Sequence, residues 1–481
     1  MVEVRDLTAP FQCNGYWLVG EDRLNQIAGV FTYDPREGCR LELHGATWTP
    51  EKDDSPTIII GLSSAGEKIT LLNCIPVRSH LRQGAFNLIE FMCEIALVGN
   101  YHPPEKLSFK KSSMRFSHLD RWNFAKYVDS RRRRGGSLTV SVKGGPQAKL
   151  QCASGGYEVR LEGVYQASVG DLTADIKAFS RLHVFSKTSR PLAWHLSEIE
   201  SLRDLASFMF ASPTPLTNVM LYGTSRRIKG FGQQTEWVSV LFFEENARAS
   251  SRSAHPLMTL KRLEKVAPDI LSAWRDARVR LREVTDLILL ILNQHHKTAG
   301  AGFLLSMQAF EGFDRIVYPE TLVAEEEFKL VSDAMTGAIP QTASPQLREK
   351  MKAAIKYANE PSLRNRLKKL HTRLGEKFGV DAFGLKKSSL EPMVKTRNYL
   401  THYPEELKPE ILFEDRMVDE TDRMCLILVL AILEELGVPS TELLRGIFLH
   451  PRFRRFSEAI DQEILKRKYE PRNVTEGAIS T

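Results

Sequence analysis

Residues 388–402 read SSLEPMVKTRNYLTH, and this stretch decides how the C-terminal half of the chain folds. Its apolar residues are compatible with one buried helical face, at Met393, Val394 and Leu400. A serine at its start, with a proline in the first turn, favours a helix that begins here with the serine as N-cap. Pro404 pushes Tyr403 out of the helical region and ends the helix. The stretch predicts a helix over 389–402 with one buried face.

The last six residues of this helix, RNYLTH, carry the groups that RNA cleavage without a metal requires. The imidazole of His402 is suited to move protons to and from a ribose 2′-hydroxyl and the leaving oxygen. The guanidinium of Arg397 is a permanent cation for the phosphate. Asn398 shares the helix face of His402, whereas Arg397 and His402 lie about 140° apart. This spacing alone fits equally well a surface arginine and an ordinary terminal histidine.

Four segments together resemble the HEPN ribonucleases, in particular the ApeA-like HEPN domain of anti-phage defence proteins. The motif Arg397, Asn398 and His402 is similar to the family signature of an arginine, a polar residue and a histidine. Residues 303–313 resemble the family's earlier helix, which carries an inward-facing acid, here Glu311. Residues 363–370 resemble its connecting helix, and residues 424–437 resemble the apolar helix that closes the bundle. The N-terminal region, through Gly15–Leu18, Gly29–Phe31 and Cys39–Gly45, resembles the ApeA N-terminal domain.

This resemblance implies a metal-independent endoribonuclease that defends against phage by degrading RNA after infection, as in abortive infection. It implies His402 as general base and acid, Arg397 as phosphate clamp, and Asn398 as a group that orients His402 or binds the phosphate. Glu311 is expected to face inward and pair with Arg397, as a structural salt bridge or a catalytic group. The implied partners are RNA, a second copy of the chain whose motif lines the same cleft, and a phage-derived trigger at the N-terminal domain. No cofactor is expected.

Composition sets broad limits. The 481 residues are too many for one core, and 42% hydrophobic with 26% charged residues is typical of a globular protein. The net charge of +7 permits RNA contact without requiring it. The longest apolar run, residues 424–433, is about half of a bilayer crossing, and no secretion signal is visible, so we expect a cytoplasmic protein without a membrane contact. The six cysteines have neither zinc nor disulfide spacing, and no metal site is predicted.

The hydrophobic pattern changes near residue 250. Before it, short β-like runs such as 57–62, 68–73, 137–142 and 157–162 predict an antiparallel sandwich-like or barrel-like sheet, interrupted by a helix over 198–209. After a polar, small-residue stretch, helical spacing takes over from a long helix that starts at Pro268. The predicted fold class is α+β: a β-rich domain over 1–250, an all-α HEPN bundle over 251–470 and a disordered tail over 471–481.

Two further sets of residues are weaker candidates for a site. The run Arg131, Arg132, Arg133 and Arg134 is a candidate contact for the RNA backbone, although such runs are more often solvated loops. The pair His295 and His296 lacks a third ligand at metal spacing and is interpreted as a helix C-terminal pair. The sequence contains no nucleotide-binding glycine motif and no nucleophile elbow.

Two alternatives to the ribonuclease stay open. The first is a catalytically inactive HEPN protein that dimerises or binds RNA, with a β-domain that binds a ligand or a phage component. The second makes the β-domain a carbohydrate-binding or processing unit. Fold class alone does not separate these functions. The position of Arg397 and His402 in an open cleft would favour the enzyme, and exposed aromatics in a groove of the sheet would favour the carbohydrate module.

Overall fold

The computed structural model of the chain describes residues 4–19, 26–45, 57–80, 87–101, 107–123, 127–132, 138–170, 173–228, 232–244, 255–293, 298–378 and 382–450, with Arg452 and Phe456. The chain divides into two compact units, one of Met1–Arg275 with Leu436–Val438 and one of Asp276–Glu435 with Pro439–Thr481. A β-rich region is followed by a helical region, so the α+β fold class is confirmed. The proposed tail over 471–481 and most of the predicted helix over 451–468 lie outside the described residues.

The first unit contains the strands. Their bounds are β1 (Phe11–Val19), β2 (Ile27–Asp34), β3 (Gly38–His44), β4 (Thr57–Ser63), β5 (Lys68–His80), β6 (Leu88–Val98), β7 (Ser108–Phe116), β8 (Val128–Arg132), β9 (Leu138–Val142), β10 (Gly145–Cys152), β11 (Tyr157–Val169), β12 (Ala174–Pro191), β13 (Leu216–Ile228) and β14 (Gly232–Phe242). Its helices are α1 (Leu119–Asn123), α2 (Leu192–Phe210) and α3 (Leu260–Val266). The predicted helix over 198–209 is α2, which begins six residues earlier.

Twelve of these strands form one antiparallel sheet, in the order β10-β11-β12-β7-β13-β14-β6-β3-β2-β1-β4-β5. An additional pairing of β5 with β6 closes β1 to β6 into a ring. One edge of β6 is shared, since β3 pairs with residues 88–93 and β14 with residues 95–98. The remaining strands, β14, β13, β7, β12, β11 and β10, extend from the ring as an open arm. β8 and β9 pair only with each other among the described strands.

The arm buries one face beneath a helix. Along β11, Tyr157, Val159 and Leu161 are buried, while the residues between them are partly exposed. This alternation is the period of a strand with one covered face. Helix α2 covers that face, where the ring of His195 hydrogen-bonds the Ser112 hydroxyl and the Phe109 carbonyl oxygen, each at 2.9 Å. The other face of the arm is lined by polar and aromatic side chains.

The first unit extends beyond the boundary predicted at residue 250. Helix α3 packs against β10, and the helix that follows it, α4 (Ile270–Arg280), continues the contact. The Trp274 indole N–H donates to the Ser201 carbonyl oxygen at 2.9 Å, and Arg275 pairs with Glu198 at 3.2 Å. The division at Arg275 therefore falls within α4.

The second unit is helical. Its remaining helices are α5 (Arg282–Asn293), α6 (Ala299–Val317), α7 (Glu325–Gly337), α8 (Pro345–Lys356), α9 (Leu363–Phe378), α10 (Lys387–His402), α11 (Glu414–Glu435) and α12 (Ser440–Leu449). Helix α6 lies at the centre, in contact with α5, α9, α10 and α11. The ten-residue apolar run is the middle of α11, and its side chains are nearly all buried. No described helix combines the length and hydropathy needed to cross a membrane.

Two helices differ from the sequence expectation. The long helix expected from Pro268 is two helices, α4 and α5, because the helical backbone breaks at the buried Leu281. Helix α7 was not expected, and its sequence explains why: it has no buried residue, so the apolar stripe that identifies a packed helix is weak.

Gly61 on β4 provides a test of the closed ring. It pairs with Trp17 on β1, and a Cβ at Gly61 would lie 2.1 Å from Cε3 of that fully buried indole. We expect Gly61→Ala to destabilise the first unit by about 1–3 kcal/mol, the usual cost of overpacking. Tryptophan fluorescence during urea unfolding measures this, since all six tryptophans lie within residues 1–275.

The matched control is Gly375→Ala, the same substitution on α9, where a Cβ has no neighbour within 4 Å. It should raise the free energy of unfolding, followed by far-UV circular dichroism, by about 0.5–1 kcal/mol, because alanine favours a helix more than glycine does. Equal stabilities of Gly61→Ala and wild type would contradict the close packing of β1 on β4.

Candidate active site

The motif occupies the C-terminal end of α10. The helix ends at His402, as expected, and Tyr403 follows in the left-handed region with φ 53° and ψ 40°. The Tyr403 N–H closes the last turn on the Tyr399 carbonyl oxygen at 2.7 Å, and the two rings pack edge to face. Pro404 then directs the chain into a short 3-10 helix over Glu405–Glu410. These contacts hold His402 at the last helical position.

The N-terminal part of α10 differs from the prediction. The helix begins at Lys387, its N-cap is Lys386, and no side chain caps it, so the expected serine cap was wrong. Pro392 lies inside the helix rather than in its first turn. A proline inside a helix removes the hydrogen bond to the carbonyl four residues earlier, and its ring crowds that carbonyl. Here the Thr396 hydroxyl donates to the Pro392 carbonyl oxygen at 2.7 Å and accepts from the Leu412 N–H at 2.8 Å.

The guanidinium of Arg397 contacts Glu311 on the central helix α6. Nη2 of Arg397 lies 2.9 Å from Oε1 of Glu311, and their side chains are 29% and 17% exposed. The buried Oε1 atom has no hydrogen bond of good angle, so the contact is mainly electrostatic. Nη1 of Arg397 donates to the Asn398 side-chain oxygen at 3.3 Å. The structure thus brings Arg397, Asn398 and Glu311 together.

His402 stands apart from this group. Its side chain is exposed, and its ring has no hydrogen bond or ion pair with any residue that the structure describes. Asn398, four residues earlier, lies on the same helix face. Both ring nitrogens are therefore open to solvent and to a bound ligand. The site therefore contains the Arg397 guanidinium, held by the Glu311 carboxylate, and the exposed imidazole of His402 five residues later.

The other sequence candidates lie elsewhere or outside the described residues. Arg131 and Arg132 are exposed on β8, where Arg131 is 3.7 Å from Asp129. Arg133 and Arg134 lie outside the described residues, as do His295 and His296. The described part of the chain contains no group of three or more histidine, cysteine, aspartate or glutamate side chains arranged to hold a metal.

Sequence reasoning missed a buried ion cluster beneath the motif. Asp314, one turn after Glu311 on α6, accepts from Arg366 at 2.7 Å and from Arg373 at 2.6 Å, both on α9. The side chains of Asp314 and Arg366 are 5% and 4% exposed. The spacing of Glu311 and Asp314, three residues apart, was the available signal, since it places both carboxylates on one face of α6. One helix thereby holds cations of both α9 and α10.

A cavity of about 430 Å³ lies at the opposite end of α10. Its lining includes Lys386, Arg416, Arg423 and Asp419, with Gly384, Ser389 and Phe456. A helix of this length is roughly 24 Å long, so the cavity is far from His402. Its lining does not include Arg397, Asn398 or His402.

Comparison with protein families defines the class first. Residues 304–442 match the family model described as Apea-like HEPN. HEPN domains are generally ribonucleases, and they typically dimerise and bind RNA. Residues 12–274, more than half of the chain, match the ApeA N-terminal domain 1. The chain therefore belongs to the ApeA family, whose domains suggest a nuclease-type role in defence. No curated protein and no solved structure matched the chain.

The two carboxylates of α6 should differ strongly in their effect on stability. Asp314→Ala leaves two guanidinium groups without their carboxylate in a buried site, and we expect a cost of about 3–5 kcal/mol. Glu311→Ala removes a partly exposed pair and should cost about 1 kcal/mol. Urea unfolding followed by far-UV circular dichroism measures both.

The control is Asp276→Ala, which removes an exposed carboxylate from α4 and should change stability by less than about 0.5 kcal/mol. If Asp314→Ala were as stable as Asp276→Ala, α6 would not hold α9 through this cluster.

Proposed function

We propose that the protein is a metal-independent endoribonuclease of the HEPN type that acts in anti-phage defence. The observation that carries the proposal is the pairing of Arg397 with Glu311, with an exposed His402 five residues later on the same helix, in a chain of the ApeA family. A structural arginine has no need of a free imidazole at the same helix end. A cleavage site needs both groups, because a cation stabilises the charge that builds on the phosphate while an imidazole transfers the protons.

The reaction follows from the groups present. His402 takes the proton of a ribose 2′-hydroxyl, and the oxygen attacks the adjacent phosphorus. The bond from phosphorus to the 5′ oxygen breaks, and protonated His402 returns the proton to that oxygen. Arg397 stabilises the negative charge that builds on the phosphate oxygens in between. The products carry a 2′,3′-cyclic phosphate and a 5′-hydroxyl.

Glu311 is a positioning residue in this mechanism. It contacts one terminal nitrogen of Arg397, and the guanidinium has five N–H donors in a fixed plane. The remaining donors can therefore meet a phosphate while the carboxylate holds the plane in place. The amide of Asn398, which accepts from Arg397, is suited to donate from its nitrogen to the same phosphate.

His402→Ala and Arg397→Ala should each lower the rate of RNA cleavage by about 10²–10⁴-fold, the usual contribution of one such group. Purified full-length variants, with circular dichroism to verify folding, provide the measurement. The matched control is His371→Ala, a partly exposed histidine of α9, which should cut RNA at the wild-type rate. Cleavage by His402→Ala at the wild-type rate would refute the assignment.

We assign dimerisation to the exposed faces of α7 and α8. One arginine and one histidine form a sparse site, and a two-fold partner would supply a second set in one cleft. Apolar side chains cluster on the two helices with large exposure, at Leu330 (74%), Val331 (48%), Met335 (47%), Leu347 (49%) and Met351 (38%). Exposed apolar clusters of this kind mark association surfaces.

Charge favours a second copy of the same chain as the occupant. Helix α7 carries three consecutive glutamates over 325–327 and Asp333 against one lysine. Helix α8 carries one arginine and three lysines against one glutamate. In an isologous contact, the acidic α7 of one protomer meets the basic α8 of its partner twice. The other apolar helices of this region, α4, α5 and α11, expose fewer large apolar side chains among their described residues, chiefly Val279, Leu290 and Val418.

Leu330→Glu places a carboxylate in the apolar part of this surface. We expect it to shift the protein from dimer to monomer in sedimentation at micromolar concentration and to lower RNA cleavage in parallel. Val279→Glu is the matched control, since Val279 is 81% exposed but isolated on α4. A dimeric Leu330→Glu protein would exclude this surface, and a monomer that cuts at the full rate would exclude the shared cleft.

A further inference from the structure

The open face of the sheet arm alternates cations with aromatic rings. We call it the cation–aromatic face and define it by six partly exposed residues: Lys111, Arg115, Arg160, Phe179, Phe185 and Tyr222. They come from four adjacent strands, β11, β12, β7 and β13. The register places Phe185 opposite Lys111 and Lys111 opposite Tyr222, so ring, ammonium and ring follow one another across the sheet.

The distances show cations close to rings. The Lys111 ammonium lies 4.5 Å from the Tyr222 ring centre and 4.9 Å from that of Phe185. The Arg160 guanidinium carbon lies 4.5 Å from the Phe185 ring centre, and that of Arg115 lies 4.3 Å from the Phe179 ring centre. Such contacts are attractive, but a ring does not neutralise the positive charge of the cation. The rings remain partly exposed and are not packed beneath another layer.

The floor of this face contains a buried guanidinium without a carboxylate. Arg181 is 7% exposed, and its Nη1 atom donates to the Ser113 hydroxyl at 3.0 Å and the Asn218 oxygen at 2.7 Å. None of the described carboxylates forms an ion pair with Arg181. A buried cation held only by neutral acceptors is costly, and a bound anion would offset that cost.

His183 is buried beside Arg181, close to the cations of the face. It is 4% exposed, and its Nδ1 atom is buried without a hydrogen-bond partner. Burial, followed by the nearby cations Lys111, Arg181 and Arg160, lowers the pKa of His183 to about 3. Burial also lowers the pKa of Lys111. The imidazole is therefore neutral at pH 7.

Of the acids Glu158, Asp120 and Glu162, the first two pair with cations: Glu158 contacts Lys149 and Arg160, and Asp120 contacts Arg115. Glu162 lies 3.3 Å from His183, which is neutral and does not compensate its charge. Lys111 and Arg181 have no ion pair with a described acid, so the face as a whole carries a positive surplus.

We propose that the cation–aromatic face binds single-stranded nucleic acid. Phosphates match the uncompensated cations, and bases stack on exposed rings only when they are free of a duplex. Four strands span about 15 Å, and three rings on such a sheet suit two or three bases. A neutral carbohydrate would use the rings but leave the cations unmatched. The inference concerns binding by the first unit and does not depend on RNA cleavage.

Binding is tested with the full chain and fluorescent 12-nucleotide strands, oligo(dT) and 2′-O-methyl oligo(U), neither of which has a free 2′-hydroxyl for cleavage. Tyr222→Leu should weaken binding about ten-fold, the effect of one lost base stack. Lys111→Gln should weaken binding and reduce the slope of log affinity against log salt by about 0.7. Phe185→Leu serves as a second ring variant if Tyr222→Leu fails to fold.

The controls lie beside the tested residues. Lys110→Gln changes an exposed lysine next to Lys111 on the same strand, and Tyr165→Leu changes a ring that is 54% exposed beyond the face on β11. Both should bind like wild type. A preference for the deoxy or the 2′-O-methyl strand identifies which nucleic acid the face takes. Tighter binding of a duplex than of either strand, or equal losses in tested and control variants, would overturn the proposal.

Discussion

The helical unit depends on two carboxylates, Glu311 and Asp314, that lie one turn apart on α6. Asp314 binds two guanidinium groups of α9 in a buried site, and Glu311 contacts Arg397 of α10. Apolar packing allows helices to slide by small steps, whereas a buried carboxylate must meet its cations at short range. These contacts therefore fix how α9 and α10 sit on α6. The position of the motif arginine follows from them, while His402 at the helix end is left free.

The sequence predicted the elements whose residues bury a face. The apolar run of α11, the end of α10 before Pro404 and the β-like runs of the first unit all carry the periodicity of their structure. Helix α7 was missed because nothing on it is buried, and the break at Leu281 is invisible because apolar spacing continues through it. The closure of six strands into a ring depends on pairing β1 with β4 and β3 with β6, strands that are not consecutive in the chain, and local pattern does not encode such contacts.

The candidate site was predictable in its residue types and less so in its contacts. The hexapeptide over 397–402 identified Arg397 and His402, but its geometry predicted only an angle between them. The contact of Arg397 with Glu311 joins residues 86 positions apart in the numbering, and the cluster around Asp314 joins α6 to α9 over 52 and 59 positions. The cation–aromatic face was also hidden from the sequence, because its members come from four strands whose order in the sheet differs from their order in the chain.

The most direct test of the account is the chemistry of the cut ends. Purified wild-type protein is incubated with RNA in excess EDTA, and the termini of the fragments are identified. The account predicts undiminished cleavage that leaves 2′,3′-cyclic phosphate and 5′-hydroxyl ends, because Arg397 and His402 supply the charge and the proton transfers. Fragments with 3′-hydroxyl ends, or complete loss of cleavage on chelation, would contradict it.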